Sequence, residues 1–293
     1  MKYLPAAAAA ATGIQVGSAI VATRFVVDQT GPASLAFLRY LIGLCCLAPP
    51  ALLVASVRFE RRDLLPIGLL GVVQFGVLIT LLNYGLRFIP SARAALLFAT
   101  MPLLTMVLAA VLGRERLTPT EILGVLSTIV GVGLALGEKA LLADSGPEGW
   151  IGETAVLASA LSGAVCSVLY RPYLRKYPPL SVSAYAMLAS VVVLGALAAR
   201  EGFFDSLPSF TAGGWLAVLF IGASSGGGYY LWLWALRHAS PTKVTVFLAL
   251  SPVTATGLGA LLLAERTSTT SLLGLACVAF GLWLAHRQTP GGR

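Results

Sequence analysis

Apolar residues in this chain come as long unbroken runs, without the alternation of a half-buried strand. Residues 94–112 carry no charge at all, and comparable runs recur from end to end. A helix needs about 20 mostly apolar residues to cross about 30 Å of hydrocarbon. In lipid only a helix or a closed barrel satisfies its own backbone, and barrel strands alternate, so these runs predict spanning helices. Ten follow, over residues 4–27, 33–55, 64–86, 91–113, 120–137, 150–170, 181–199, 214–236, 241–264 and 271–286. The alanine-rich start has the lysine and small residues of a signal peptide. Its apolar run continues past Gln15 to residue 27, however, and reads as the first span.

Composition supports the pattern: 57% of residues are hydrophobic and 11% charged, against about 45–50% and about 25% in a soluble domain. The net charge of +8 acts as a topology signal. With the N-terminus inside, thirteen Lys and Arg fall on the cytoplasmic side and six on the other, Arg39 lying inside the second span. That bias predicts a multi-pass cell-membrane protein with both termini cytoplasmic. No basic cluster on a soluble fold accompanies it, so nucleic acid is not an expected partner. The expected partners are the bilayer and a small-molecule substrate, with a monomer as the plausible state.

Cys45 and Cys46 are adjacent, Cys166 and Cys277 stand alone, and His238 and His286 lie at predicted helix ends. That spacing gives no disulfide framework or metal site, and no cofactor is expected. HExxH, a membrane-embedded aspartate pair and a Ser–His pair inside spans are all missing, which argues against an intramembrane enzyme. ATP use lacks its GxxxxGK[ST] loop.

ERLTPTEILG (115–124) and ERTSTTSLLG (265–274) lie 150 residues apart. The same offset pairs Arg87 with Arg237, Arg93 with Lys243, Pro102 with Pro252, Arg116 with Arg266, Gly124 with Gly274 and Gly131 with Gly281. Two homologous halves follow, with the boundary in the acidic, Gly- and Pro-containing DSGPEG stretch: 1–143 and 144–293. Each holds five spans, an odd number, so equivalent elements enter the membrane from opposite sides. The fold expected is all-α and polytopic, ten helices arranged as two five-helix inverted-topology repeats around a central cavity. A duplicated scaffold or sensor is the different-class alternative.

Ten helices in two repeats, FLRYLIG (37–43) in the second span, and the Glu-Arg turn before the fifth and tenth spans resemble the drug/metabolite transporter superfamily, EamA type. The resemblance implies a ten-helix basket whose cavity is lined by the first, third, fourth, sixth, eighth and ninth helices. It also implies export of small metabolites, amino acids including aromatic ones among them, with multidrug or other metabolite export as the alternative.

Candidate residues follow from chemistry that is costly in lipid. Pro102 and Pro252 remove a backbone donor and crowd the carbonyls of Phe98 and Leu248, as hinges or as static kinks. In GASSGGGYY (222–230), Gly222 and Gly226 share a face for close packing. Gly226, Gly227 and Gly228 together also weaken the helix and form a candidate gate. Ser224, Ser225, Tyr229 and Tyr230 would offer hydroxyls and rings to a substrate. Tyr84 and Phe98 are further ring contacts, with core filling as the rival role. Trp232 and Trp234 fit an interfacial belt better. Among amides and hydroxyls inside spans, Gln15, Asn83 and Thr254 are substrate candidates, Gln74 remains open, and most serines are helix links. Arg39 is expected to snorkel outward more readily than to bind an anion. Every acid falls in a predicted loop or near a helix end, so transport without a proton relay is expected.

Overall fold

A computed structural model describes residues 4–53, 59–113, 119–141, 147–206, 208–264 and 269–286. Ten helical rods follow one another: α1 Leu4–Val26, α2 Pro32–Leu53, α3 Arg61–Gly85, α4 Ser91–Val111 and α5 Pro119–Leu141. Then come α6 Pro147–Leu169, α7 Pro179–Arg200, α8 Ala212–His238, α9 Pro241–Leu263 and α10 Thr269–His286. Eight are long and apolar enough to cross a membrane; α5 and α10 carry the shorter apolar stretches Ile122–Gly131 and Leu272–Gly281. Among the described residues there is no strand. The Glu-Arg turns, with Arg116 and Arg266, and the 143/144 boundary lie outside the described residues.

The packing is that of two interleaved repeats. α1 lies on α8 and α9, and its counterpart α6 lies on α3 and α4. α2 packs on α8 while α7 packs on α3, and α2 and α7 meet each other. α5 and α10 pair more extensively than any other helices. There Ser127 Oγ donates to the Cys277 carbonyl at 3.0 Å, joining residues that differ by 150. A residue touching its own equivalent marks a two-fold relation. Gly124, Gly131, Gly274 and Gly281 are all buried on these two helices.

Small residues set the remaining spacings. A Cβ on Gly13 of α1 would lie 2.2 Å from the Phe247 carbonyl oxygen of α9. A Cβ on Gly163 of α6, again 150 further on, would lie 2.9 Å from Met101 Sδ of α4. Helix association in lipid has no hydrophobic drive and rests on such backbone approach. Gly13→Ala alone would push α1 off α9.

Both proline helices are broken at matching points. α4 stops at Phe98 and restarts at Met101, which leaves Pro102 at the start of a new helical segment, where its missing N–H costs nothing. α9 passes through a 3-10 turn, Val246–Ala249, before Leu250–Leu263 carries Pro252. In both places the backbone stays right-handed and the helix tightens locally ahead of the proline.

α3 holds a feature with no sequence marker. Its residues Val72–Val77 form a π-helical segment between Arg61–Gly71 and Leu78–Gly85. Such segments fit one extra residue into a helix and are frequent at functional sites.

Candidate functional site

Helices α1, α2, α3, α4, α8 and α9 line a cavity of about 80 Å³ within the bundle. This set includes five of the six helices that the resemblance implies; α2 takes part and α6 does not. Phe75, Tyr40 and Tyr229 make a continuous aromatic wall, with ring centroids 4.6 Å apart for Tyr40–Phe75 and 4.3 Å for Phe75–Tyr229. Ile20, Leu78, Phe98, Met101, Trp232 and Leu248 complete the apolar lining. A cavity of about 150 Å³ admits benzene, so an organic substrate enters this smaller space only when its walls move.

Polar groups from α1, α2, α3 and α8 meet at the cavity. Arg39 is 7% exposed, and its Nε donates to Ser225 Oγ at 2.7 Å. Its guanidinium carbon lies 5.5 Å from the Tyr40 ring centroid, within cation–π range. Gln15 Nε2 donates to Ser224 Oγ at 3.2 Å, and Thr12 Oγ1 donates to the carbonyls of Ala8 and Gly228. Gln74 Oε1 is buried without a partner. Its place in the π-helical segment brings it, with Phe75, to the cavity wall.

A buried guanidinium in a span costs about 3 kcal/mol on an insertion scale. Arg39 meets no carboxylate among the described residues. Asp28 pairs with Arg24, Glu153 with Arg93, and Glu60 with Lys176, which also binds Asp63. Glu201 accepts from Ala33 N, Ser34 N and Ser34 Oγ at 2.7–3.0 Å, capping α2 at the end where helix donors are free. The expectation that Arg39 snorkels is overturned. It shares a face with Gly43 four residues on, and Gly43 packs against Gly226 of α8. That i, i+4 relation was the sequence signal for an inward arginine.

Of the predicted substrate residues, Gln15, Phe98, Ser225 and Tyr229 line the cavity, as does Gly228. Ser224 stands behind Gln15. Asn83 lies outside the lining, 1% exposed, and its Nδ2 donates to the Pro32 carbonyl at 3.0 Å, which ties α3 to the start of α2. Tyr84 faces outward against Phe88, with centroids 5.2 Å apart. Tyr230 is half-buried in core packing, and Thr254 Oγ1 donates to the Leu250 carbonyl within its own helix. Trp232 is 4% exposed and inward, which corrects the belt assignment; six residues from the end of α8, it is about 9 Å deep. Trp234, nearer that end, stacks on His238.

The glycines divide by role. α8 is unbroken through Gly226, Gly227 and Gly228. A Cβ on Gly226 would sit 2.9 Å from the Gly43 carbonyl oxygen, and one on Gly228 2.7 Å from Gln15 Oε1. Gly227 has nothing within 4 Å. Close packing thus accounts for Gly226 and Gly228.

Two clusters of polar contacts tie the helix ends, each with a bond between the repeats, Lys176 to Glu60 and Asp63 at one and Thr211 to Gln29 at the other. At one, Lys176 Nζ reaches Glu60 Oε1 at 2.5 Å and Asp63 Oδ2 at 2.6 Å, while Tyr177 OH donates to Asp63 and accepts from Glu60 N. The hydrogen bond from Lys176, with Arg62 adding, holds the Glu60 carboxyl below its ordinary pKa. At the other, Thr211 N donates to Gln29 Oε1 at 3.2 Å, and Arg87 Nη2 donates to the Thr30 carbonyl at 2.7 Å.

Comparison with known proteins agrees with this architecture. The family model described as "EamA-like transporter family" matches twice, over residues 4–137 and 150–287. A protein of Streptantibioticus cattleyicolor described as "Probable terminal-alkyne amino-acid exporter" is 31% identical over 96% of this chain and 93% of its own. An uncharacterized transporter of Archaeoglobus fulgidus is 26% identical over 93% of this chain and 95% of its own. A solved crystal structure shares the fold at TM-score 0.75 and 23% identity, covering 95% of both chains. The protein is a transporter and not an enzyme, and it belongs to the EamA-like transporter family.

Proposed function

We propose that the chain is a secondary exporter of amino acids with apolar or aromatic side chains, working by alternating access without ATP. One observation carries this reading. A cavity between the repeats combines one buried arginine, two amides and an aromatic wall. Arg39 answers a carboxylate, Gln74 Oε1 offers an acceptor to an ammonium, and Tyr40, Phe75 and Tyr229 face an apolar side chain. The amino-acid exporter at 31% identity supports the substrate class. The lysine and arginine bias supports cytoplasmic termini, and the printed description of that relative as an exporter supports the outward direction.

Access alternates as the two repeats exchange shapes. The matching interruptions at Ala99–Thr100 in α4 and Val246–Ala249 in α9, ahead of Pro102 and Pro252, give each repeat a compliant point beside the cavity. Gly227, with no neighbour, is the third. Among the described residues no acid lines the cavity, which supports flow down the substrate's own gradient. Counterflow of labelled phenylalanine, tyrosine, leucine and methionine in proteoliposomes tests this. Saturable exchange without ATP or a pH step is expected; accumulation driven by a pH step alone contradicts the coupling. No exchange across the panel contradicts the substrate class.

A further inference from the structure

We propose that Arg39, turned inward and held by Ser225, is the subsite for a carboxylate on the transported molecule. This rests on the reading of the cavity as the substrate site, and it sharpens that reading into a rule: the ligand must be an acid.

Arg39 lies on α2, which the resemblance does not place around the cavity, yet its side chain lines the space and is 7% exposed. Three features fix how it is presented. Ser225 Oγ takes Nε at 2.7 Å, which sets the plane of the guanidinium. The Tyr40 ring lies 5.5 Å from its carbon and favours a cation there. Gly43 and Gly226 bring α2 and α8 together one turn away, so the Arg39–Ser225 pair is held by backbone packing. With Nε engaged, the end of the fork remains. Among the described residues neither Nη atom has a hydrogen-bond partner, and no carboxylate pairs with the side chain. Two parallel N–H groups on Nη1 and Nη2 match the two oxygens of a carboxylate.

The charge balance points the same way. Asp28, Glu153, Glu60, Asp63 and Glu201 are engaged with Arg24, Arg93, Lys176 or the start of α2. The cavity thus holds a fixed cation whose counter-ion must arrive with the ligand. A cationic drug would face uncompensated repulsion there, and an amide or ester would leave the fork half used.

The test is binding to the purified full chain, read by ligand-induced thermal shift and by counterflow. The probes are the four apolar amino acids, their carboxamides, and 3-phenylpropionate as an acid without an amine. Wild type is expected to favour each acid over its amide at least tenfold. Arg39→Gln should lose at least tenfold for acids while its amide affinity stays within twofold, and Arg39→Lys should recover part of the loss. Ser225→Ala, which keeps the charge and frees its orientation, should weaken acid binding severalfold; it also serves if Arg39→Gln does not fold. Equal binding of acids and amides by wild type overturns the proposal, as does an equal loss of both in Arg39→Gln. Arg39-dependent binding of 3-phenylpropionate with no amino-acid binding would sink the amino-acid reading and leave the carboxylate subsite standing. Failure of every acid to bind overturns the subsite itself.

Discussion

α3 and α8 occupy the same place in the two repeats, and they reach the cavity by different local means. The 150-residue offset sets the π-helical segment Val72–Val77 against Gly222–Gly227 of the continuous α8. Phe75 is thereby equivalent to Ser225, and Gln74 to Ser224. In α3 an extra residue is absorbed and two large side chains are swung inward. In α8 side chains are deleted, and neighbouring helices close over bare backbone. The pseudo-symmetry of the fold therefore stops at the cavity wall: one side supplies an apolar ring and an orphan amide, the other hydroxyls that orient Arg39 and Gln15.

The most damaging change should be Gly226→Leu, which drives a side chain into the Gly43 carbonyl 2.9 Å from the Cβ position. Destabilisation above about 3 kcal/mol is expected, seen as loss of monodisperse protein on size exclusion. Next comes its opposite number in α3. Phe75→Ala removes a ring that is 1% exposed between Tyr40 and Tyr229. A cost of about 3 kcal/mol should appear in thermal unfolding, together with a loss of counterflow.

Ser225→Ala, at the equivalent position, removes one hydrogen bond and should cost about 1 kcal/mol. A cost matching that of Phe75→Ala would mean that the two helices are not specialised in this way. Gly227→Ala adds a methyl that meets nothing within 4 Å. It should stabilise by about 0.5–1 kcal/mol and slow exchange severalfold; unchanged exchange takes the glycine run out of gating.

The smallest effect concerns how each helix is anchored. α3 begins in the ionic clamp of Glu60 and Asp63 on Lys176, whereas α8 begins at Thr211 with the neutral Gln29 amide. A carboxylate whose folded-state pKa is depressed contributes stability above its unfolded value and loses it as pH falls through the folded one. Since Glu60 is held low, acidification below about pH 4 should loosen the start of α3 and leave that of α8 unchanged. Hydrogen exchange at the two helix starts would show it, and an equal response at both would contradict it.

Much of this architecture was legible in the sequence because lipid imposes simple rules. Uncharged runs gave ten helices with ends within a few residues, and the offset of Pro102 and Pro252 marked matching breaks. Gly222 and Gly226, four apart, foretold a close helix contact. What escaped depends on azimuth around a helix. VVQFGV carries no glycine pair or proline to announce a π-helical segment, so Gln74 stayed undecided and Phe75 unnoticed. Arg39 and Trp232 were judged by distance from a helix end, when the face they share with packed residues decides their direction. Asn83 shows the converse: away from the cavity lining, its Nδ2 links α3 to the Pro32 carbonyl of α2 while its Oδ1 stays buried without a partner.

The central claim is that equivalent residues of the two repeats lie on opposite faces of the bilayer around a shared cavity. Pro119 and Thr269, 150 apart and both exposed at the starts of α5 and α10, report on it directly. Each is replaced by cysteine in a variant lacking Cys45, Cys46, Cys166 and Cys277, and labelled with a membrane-impermeant maleimide on sealed vesicles of known orientation. The account predicts that Pro119→Cys reacts only from the cytoplasmic face and Thr269→Cys only from the other. Labelling of both from the same face would contradict it.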